Sequence, residues 1–276
     1  MPFGKMPLGK MLFGKLLIAP TLAATFLFAS ASALPGVAQT AAKAAPANTA
    51  QDDAKLQTEV QKKLKGSRFK DVHVSVQNGI ATLSGPVKIY DDKQQAEKKV
   101  AKTKGLTSVV NDIEVAAGET SDQQLQDKLR KQLAYDRVGY GNAFNAIDVS
   151  VQNGVATLSG HALGPVAKSS ALSLASHTPG ITNVVDHIQV DPLSPFDNET
   201  RIRVARAVYG YPSLNKYAID PANPIRITVV NGHVILSGVV LNQSDKDVAG
   251  IQANGVPGVF SVTNNLQVAN SSSERK

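Results

Sequence analysis

Histidines, repeated serines and scattered aspartates are the residues of this 276-residue chain that could support catalysis or metal binding. The five histidines stand at unrelated positions, none of them pairs at metal-ligand spacing, and the chain has no cysteine. Ser84, Ser159 and Ser237 recur at one position of a repeat, but no histidine or carboxylate recurs with them as a general base. The sequence therefore predicts a protein that is not an enzyme and uses no metal and no cofactor.

Lysine and aromatic side chains are better candidates for a binding surface. Several lysines on two helical segments could attract an anionic phospholipid membrane surface, each contributing about 1 kcal/mol, although a solvated helix exterior is the alternative. Aromatic residues in long connections could contact a membrane or a partner protein, or could simply pack on the cores. The candidate contact residues are Lys62, Lys63, Lys98, Lys99, Lys102, Lys104, Tyr135, Tyr140, Phe144, Tyr209, Tyr211 and Tyr217.

A repeated motif defines the elements that must position these residues. The pattern Asn-Gly-X-(Ala/Val)-X-Leu-Ser-Gly occurs at Asn78–Gly85, Asn153–Gly160 and Asn231–Gly238. A second glycine follows each copy at constant spacing, and a run that begins with valine follows that glycine. Such regular self-similarity indicates one small folding unit that is present three times.

Each unit is predicted to run helix, strand, strand, helix, strand. Asn-Gly favours a type I′ hairpin turn, and its two-residue loop places Val76 opposite Ala81 and Val74 opposite Leu83. The crossover through the second helix makes the last strand parallel to the second strand. The predicted fold class is α+β: three tandem small α-β-β-α-β modules, each a three-stranded mixed sheet covered on one face by two helices.

Local features of the first unit give further expectations. Gly85 is expected to let a helix approach the sheet closely. Asp91 or Asp92 is expected to cap the second helix, and Gly105 to form its C-cap. Asn111 in the last strand is expected to bond backbone rather than a ligand. The open sheet face of the third unit is more apolar than that of the first, so we expect it to pack on a neighbouring unit.

Composition sets the predicted boundaries. The start of the chain combines lysines, an apolar run and an Ala-Ser-Ala site, which is typical of a cleavable signal peptide, with an uncleaved anchor as the alternative. The next segment, rich in Ala, Pro, Gln and Thr, predicts a flexible linker. The predicted limits are a signal peptide at 1–33, a linker at 34–52, modules at 53–118, 119–191 and 192–270, and a polar tail at 271–276.

Export and the absence of cysteine together favour the bacterial periplasm and exclude a lipoprotein, which needs a modified N-terminal cysteine. The formal net charge of +7 includes lysines of the signal peptide, so the mature protein is less basic. The remaining basic residues are too dispersed for a nucleic-acid-binding protein.

The three units resemble the BON domain, a family named for bacterial osmotically induced periplasmic and nodulation proteins. Besides the hairpin motif, the resemblance rests on Gly105-Leu106, Gly180-Ile181 and Gly258-Val259, and on the runs Val109–Val115, Val184–Val190 and Val262–Val268. The second unit departs from the usual Asn pair at Asp186 and His187. The matched residues are structural, so the resemblance assigns no functional residue.

The resemblance implies a periplasmic protein that binds phospholipid surfaces or other envelope components during envelope maintenance, envelope stress or osmotic stress. We therefore expect a non-enzymatic protein that associates peripherally with anionic phospholipid. A chaperone-like module that binds envelope proteins is the alternative. Polysaccharide binding is less attractive because the chain has no tryptophan.

Overall fold

The computed structural model describes residues 50–136, 143–192, 194–221 and 223–269. The predicted signal peptide, most of the predicted linker and the polar tail lie outside these residues. Module one contains α1 (Ala50–Lys63), a 3-10 turn (Ser67–Phe69), β1 (His73–Gln77), β2 (Ile80–Val87), α2 (Tyr90–Val100) and β3 (Ser108–Val115). Helix α1 thus begins inside the predicted linker.

The other two modules repeat this order of elements. Module two contains α3 (Asp122–Ala134), β4 (Ala146–Gln152), β5 (Val155–Ala162), α4 (Pro165–Ser176) and β6 (Asn183–Val190). Module three contains α5 (Pro195–Tyr209), the short α6 (Lys216–Ile219), β7 (Arg226–Val230), β8 (His233–Val240), α7 (Gln243–Asn254) and β9 (Ser261–Val268).

Each module forms its own three-stranded mixed sheet, so the predicted fold class is confirmed. In module one the sheet order is β1-β2-β3, with β1 antiparallel and β3 parallel to β2. Val76 pairs with Ala81 and Val74 with Leu83, as the hairpin prediction requires. The turn residues Asn78 and Gly79 have φ values of 52° and 73°, which match a type I′ turn.

Two helices cover one face of each sheet and form a small core with it. In module one, Val60 and Val100 from the helices pack with Leu83 and Ile113 from the sheet, and all four are buried. Burying such side chains stabilises the fold by about 1.5–3 kcal/mol each. The helical spacing of Leu56, Val60 and Leu64 therefore defines the inward face of α1.

The closing glycine of each hairpin lies against the backbone of the neighbouring strand and not against a helix, so the expected close helix approach at Gly85 is wrong. Gly85 has a φ of 103°, and a Cβ there would lie 2.2 Å from the carbonyl oxygen of Asp71. At Gly160 the distance to the carbonyl oxygen of Ala146 would be 2.1 Å. The glycine is required because the backbone entering the neighbouring strand approaches it closely.

The predicted caps of α2 are also wrong. The helix begins at Tyr90 with Ile89 as the N-cap residue, so Asp91 and Asp92 lie inside its first turn. The C-cap residue is Ala101, and Gly105 lies beyond it with a φ of 93°. Gly105 instead makes room for Leu56, whose methyl group would lie 3.2 Å from a Cβ at that position.

One aspartate in the first helix of every module binds the hairpin turn. The Asp53 carboxylate accepts hydrogen bonds from the amides of Asn78 at 2.7 Å and Gly79 at 2.9 Å. Asp122 and Asp197 make the same pair of bonds in modules two and three, at 2.7–2.9 Å and 2.8–2.9 Å. This shared aspartate joins the start of the first helix to the turn, because charged acceptors form strong hydrogen bonds with exposed amides.

Modules two and three meet along the edges of their sheets. The Ile227 amide donates to the Ala143 carbonyl oxygen at 2.7 Å, and Arg226 forms a 2.7 Å ion pair with Asp148. On the open face of module three, Thr228 is buried but His233 and Val239 are exposed. The expected packing of that face on a neighbour is therefore confined to its β7 edge.

Candidate functional site

Across the described ranges, no group of three or more His, Asp or Glu side chains could hold a metal ion. Nor does that part of the chain contain a helix long and apolar enough to cross a membrane. The repeated serines lie opposite three chemically different residues, His73, Asp148 and Arg226. A serine–base pair is therefore not a shared feature of the modules.

A groove between the two helices of module three is a candidate binding site. It has a volume of about 530 Å³ and is lined by residues of α5 and α7 and of the loop that follows α7. Arg203 and Arg206 lie on its α5 side, and Ile251, whose side chain is 67% exposed, lies on its α7 side. The groove thus combines cationic and apolar groups.

Two phenylalanines extend this surface at the end nearest the hairpin turn. Phe196 and Phe260 stack with ring centroids 6.4 Å apart, and they are 46% and 71% exposed. A Cβ on Gly258 would lie 3.2 Å from Phe196 and 3.3 Å from the Arg203 guanidinium. Phe196, Phe260, Arg203, Arg206 and Ile251 form the surface that we name the aromatic–arginine surface.

The six predicted lysines occupy the equivalent surface of module one. The modules can be aligned on their shared aspartate and on the closing glycine of each hairpin. In that alignment the residues that line the module three groove, Arg206, Ala207, Ile251, Gln252, Gly255 and Pro257, correspond to Lys62, Lys63, Lys98, Lys99, Lys102 and Lys104. The correspondence therefore places these lysines on one side of module one, on α1, on α2 and in the loop that follows α2.

The lysines of this surface are accessible to a ligand. Five are exposed and Lys63 is half-buried. Lys99 lies 5.2 Å from the ring centroid of Phe69, a cation–π distance. Within the described residues, the ion pairs of module one use other groups, namely Lys55, Arg68, Lys70 and, from module two, His177. The uncompensated charge makes this surface basic.

The aromatic residues of the long connections are placed differently from one another. Tyr217 is buried in module three, where its hydroxyl donates to Asp245 at 2.7 Å and accepts from the Leu241 amide at 2.7 Å. Tyr209 packs against the same core, donates to the Ile225 carbonyl oxygen, and has its pKa raised by burial. These two rings hold the connection to the module three core, which is the packing alternative of the sequence analysis.

The remaining predicted aromatics do not form one cluster. Tyr135, at the end of α3, is 66% exposed, and Tyr211 is also exposed. Phe144 packs against the module three core. Tyr140 lies outside the described residues. Contact with a ligand stays a prediction for all of these rings.

A polar position in the last strand fastens it to the second helix. The Asn111 side-chain amide donates to the Lys93 carbonyl oxygen at 3.1 Å, so the expected backbone bond is confirmed. In module two, Asp186 accepts from Lys168 Nζ at 2.8 Å. Burial opposes ionisation of Asp186, but the bonds from Lys168 and the Ile188 amide hold its pKa below the usual value. Neither residue is available for a ligand.

Two opposite charges are buried where module two ends and module three begins. Asp191 and Arg201 are almost fully buried and lie 3.9 Å apart. His161 Nδ1 lies 2.9 Å from the Asp191 carboxylate. Burial raises the pKa of Asp191, although His161 and Arg201 counteract the shift. Arg201 also donates to the Val229 carbonyl oxygen at 2.9 Å, so this cluster joins the two modules.

Sequence reasoning missed the aromatic–arginine surface. Phe260 stands where modules one and two have Thr107 and Thr182, and Phe196 stands where they have Asp52 and Ser121. Aligning the three copies residue by residue would have identified both substitutions. Their proximity could not be inferred, because it depends on how α5 meets the loop before β9.

The fold defines a class of protein: a tandem array of three small α+β modules. The BON domain family model matches residues 52–117, 121–192 and 213–270, and the chain therefore belongs to the BON domain family. The third match begins after α5, in the long connection that precedes β7.

Two solved structures of CdsD, a structural protein of the type III secretion system of Chlamydia trachomatis, are similar to this chain. One, of its C-terminal domain, is 15% identical, covers 80% of this chain and 99% of that chain, and has a TM-score of 0.23. The other is also 15% identical, covers 78% and 92%, and has a TM-score of 0.22. No match to a curated protein is found. Likenesses at this level carry no functional argument.

Proposed function

We propose that this protein is a non-enzymatic periplasmic binding protein that associates with anionic phospholipid surfaces in envelope maintenance or stress. The observation that carries the proposal is the aromatic–arginine surface, where stacked, exposed Phe196 and Phe260 lie at the Arg203 end of the groove and Arg206 lies further along α5. Aromatic rings enter the interfacial region of a bilayer, and neighbouring cations bind its anionic headgroups.

The expected affinity is modest. Transferring an exposed apolar side chain from water contributes about 1.5–3 kcal/mol at full burial, so two partly inserted rings contribute a few kcal/mol. Each arginine near an anionic leaflet adds about 1 kcal/mol. Such a sum supports reversible, peripheral binding.

The lysine surface of module one supports a second contact with the same membrane chemistry. It carries Lys62, Lys98, Lys99, Lys102 and Lys104 as exposed cations, with Lys63 beside them. It has no pair of exposed phenylalanines comparable to that of module three, so its contribution is electrostatic. Binding through it is expected to weaken as salt rises, because the Debye length falls.

Flotation of the mature chain with vesicles tests the proposal. Vesicles containing phosphatidylglycerol are expected to carry the protein at low salt, whereas pure phosphatidylcholine vesicles are not. The double variant F196S/F260T installs the residues of module two and is expected to reduce binding at least tenfold. The matched control is Val166→Thr, because Val166 is similarly exposed, at 68%, on α4 of module two.

Two outcomes would contradict the proposal. One is equal flotation with anionic and zwitterionic vesicles, and the other is unchanged binding by F196S/F260T. Charge reversal of Lys98 and Lys102 to Glu separately tests the module one surface, where a reduced salt dependence is expected. Cell fractionation of the full chain tests the periplasmic location.

Envelope-protein binding is a second candidate, favoured by a different apolar patch on module three. Ile219, Val239 and Leu241 are exposed at 79%, 45% and 63%. Val239 and Leu241 line a cavity of about 250 Å³ next to Tyr217. A partner held there is expected to resist high salt in a pull-down and to be lost on Leu241→Thr, whereas vesicle flotation is expected to stay unchanged.

A further inference from the structure

A polar cleft lies at the junction of modules two and three, away from the aromatic–arginine surface. Its volume is about 560 Å³, within the usual range for small-ligand sites. The open face of the module three sheet supplies its floor through Ser237, Asn265 and Gln267. Module two supplies Arg130 and Asp148, so the site needs both modules.

The junction holds one arginine of the cleft in place. Arg226 Nη1 donates to Asp148 at 2.7 Å, and the adjacent Ile227 amide bonds the Ala143 carbonyl oxygen. The Arg226 side chain is 18% exposed, and its buried Nε has no hydrogen-bond partner within the described structure. A guanidinium offers five donors, so Arg226 keeps donors beyond the bond to Asp148.

Arg130 leaves the cleft with a net positive charge. Arg226 neutralises Asp148, whereas Arg130 lies 3.8 Å from Asp127, and both members of that pair are more than half exposed. Exposed pairs of this kind contribute little. Arg130 also donates to the Val149 carbonyl oxygen at a long 3.5 Å, so most of its five donors are left for an anion.

The floor of the cleft is uncharged and mostly polar, with Val239 as an apolar member. Over the part of the chain that the structure describes, the side chains of Ser237, Asn265 and Gln267 make no hydrogen bond to another protein group. Amides and hydroxyls both donate and accept, which suits the hydroxyl groups of a sugar. The cleft thus places uncommitted hydrogen-bonding groups beside two arginines.

The other modules do not have this chemistry at the equivalent positions. Aligned on the hairpin, Asn265 and Gln267 correspond to Asp112 and Glu114 in module one and to His187 and Gln189 in module two. Arg226 corresponds to His73 in module one and to Asp148 in module two. The acidic residues of module one would repel an anion, whereas module three has an arginine and two neutral amides.

We propose that this cleft binds an acidic sugar, with the carboxylate held by Arg130 and Arg226 and the hydroxyls by Ser237, Asn265 and Gln267. Arginine recognises carboxylates through paired, charge-assisted hydrogen bonds. The predominantly polar lining does not suit an acyl chain. This proposal is independent of membrane binding, which uses the opposite, helical side of module three.

Titration of the full chain with glucuronate, followed by saturation-transfer NMR and calorimetry at low salt, tests the proposal. Glucuronate is expected to bind with a Kd on the order of 1 mM, and glucose at least tenfold more weakly. Inorganic phosphate is expected to compete poorly, because it lacks the hydroxyl-bearing ring that the floor binds.

The double variant N265D/Q267E is the main test, because both side chains are exposed and the change preserves their size. It installs the acidic pair of module one and is expected to weaken glucuronate binding more than tenfold. Arg130→Gln is expected to remove the preference for glucuronate over glucose. The matched control D112N/E114Q in module one is expected to change nothing.

Three results would overturn the proposal: no detectable glucuronate binding, equal binding of glucose, or unchanged binding by N265D/Q267E. Displacement by phosphate at equal concentration would show a simple anion site instead. Vesicle flotation of N265D/Q267E is expected to match the unaltered protein, so the two proposals can fail separately.

Discussion

Replacing Asp197 by alanine tests the shared aspartate that joins each first helix to its hairpin turn. The Asp197 side chain is buried, and its carboxylate accepts from the amides of Asn231 at 2.9 Å and Gly232 at 2.8 Å. It also lies in the first turn of α5, where a negative charge is favourable. Asp197→Ala therefore leaves two turn amides without their acceptor.

The expected loss follows from these contacts. A hydrogen bond to a charged group contributes about 1.5–3 kcal/mol, and the helix-terminal position adds about 0.3–1 kcal/mol. Asp197→Ala is therefore expected to destabilise module three by about 3–7 kcal/mol. Asp197→Asn keeps one acceptor oxygen and is expected to lose about half as much. Asp53→Ala is expected to cost about 1–2 kcal/mol, because water can reach the partly exposed turn of module one.

Native-state amide hydrogen exchange is the suitable assay, because it reports on each module separately. Protection of Gly232 and of the β7–β8 amides is expected to fall in Asp197→Ala, while protection of the module one hairpin stays unchanged. Urea unfolding gives the corresponding free energy of unfolding. A loss below about 1 kcal/mol, or an equal loss in Asp53→Ala, would refute the reasoning.

Three further predictions concern stability. Gly160→Ala is expected to lower the free energy of unfolding in urea by about 3 kcal/mol, because Gly160 has a φ of 101° and a Cβ there would meet the Ala146 carbonyl. In the control Gly164→Ala, the new Cβ has no atom within 4 Å, so its free energy of unfolding is expected to change by less than about 0.5 kcal/mol. Tyr217→Phe is expected to cost about 1–3 kcal/mol by thermal unfolding, with Tyr211→Phe as the neutral control. Burial disfavours the charged Asp245 carboxylate, but bonds from Lys216 and Tyr217 outweigh burial and hold its pKa below the usual 3.8. The stability that these bonds provide is therefore present above pH 3.8 and is lost as the pH falls through the lowered pKa. Tyr217→Phe is expected to lessen this loss of stability in acid. Arg201→Gln is expected to cost about 3–5 kcal/mol at pH 7 by leaving Asp191 charged without its arginine. Because the pKa of Asp191 is raised, its carboxylate takes up a proton as the pH falls, and the stability lost in Arg201→Gln is expected to become smaller. Adding Asp191→Asn is expected to abolish this pH dependence. A loss in Arg201→Gln that does not change with pH would contradict the argument.

The sequence was sufficient for the sheets because their determinants are local. Asn78-Gly79 allows positive φ at two consecutive residues, and this turn fixes the register of Val76 and Val74. The caps of α2 were wrong because polar residues near a helix start are ambiguous, and the helix begins at Tyr90, before both aspartates. Boundary errors of this size are normal when tertiary contacts decide the first turn.

Contacts between distant residues could not be predicted. The bond from Asp197 to Gly232 joins residues 35 positions apart, and no sequence period indicates it. The lysines of module one could be named from the sequence, but their position on one common surface depends on how α1 packs against α2. The junction cleft could not be predicted from one module alone, because Arg130 and Asn265 belong to different modules and their proximity depends on how those modules pack.

The link between the shared aspartate and the turn has a practical consequence for protein engineering. Modules one and three keep this link with nearly the same distances, although the chain between the first helix and first strand is short in one and contains α6 in the other. Because loop-closure entropy grows slowly with length, that connection should accept a grafted peptide or epitope without loss of the scaffold. Module one, whose connection is the shortest, is the natural recipient for such a graft.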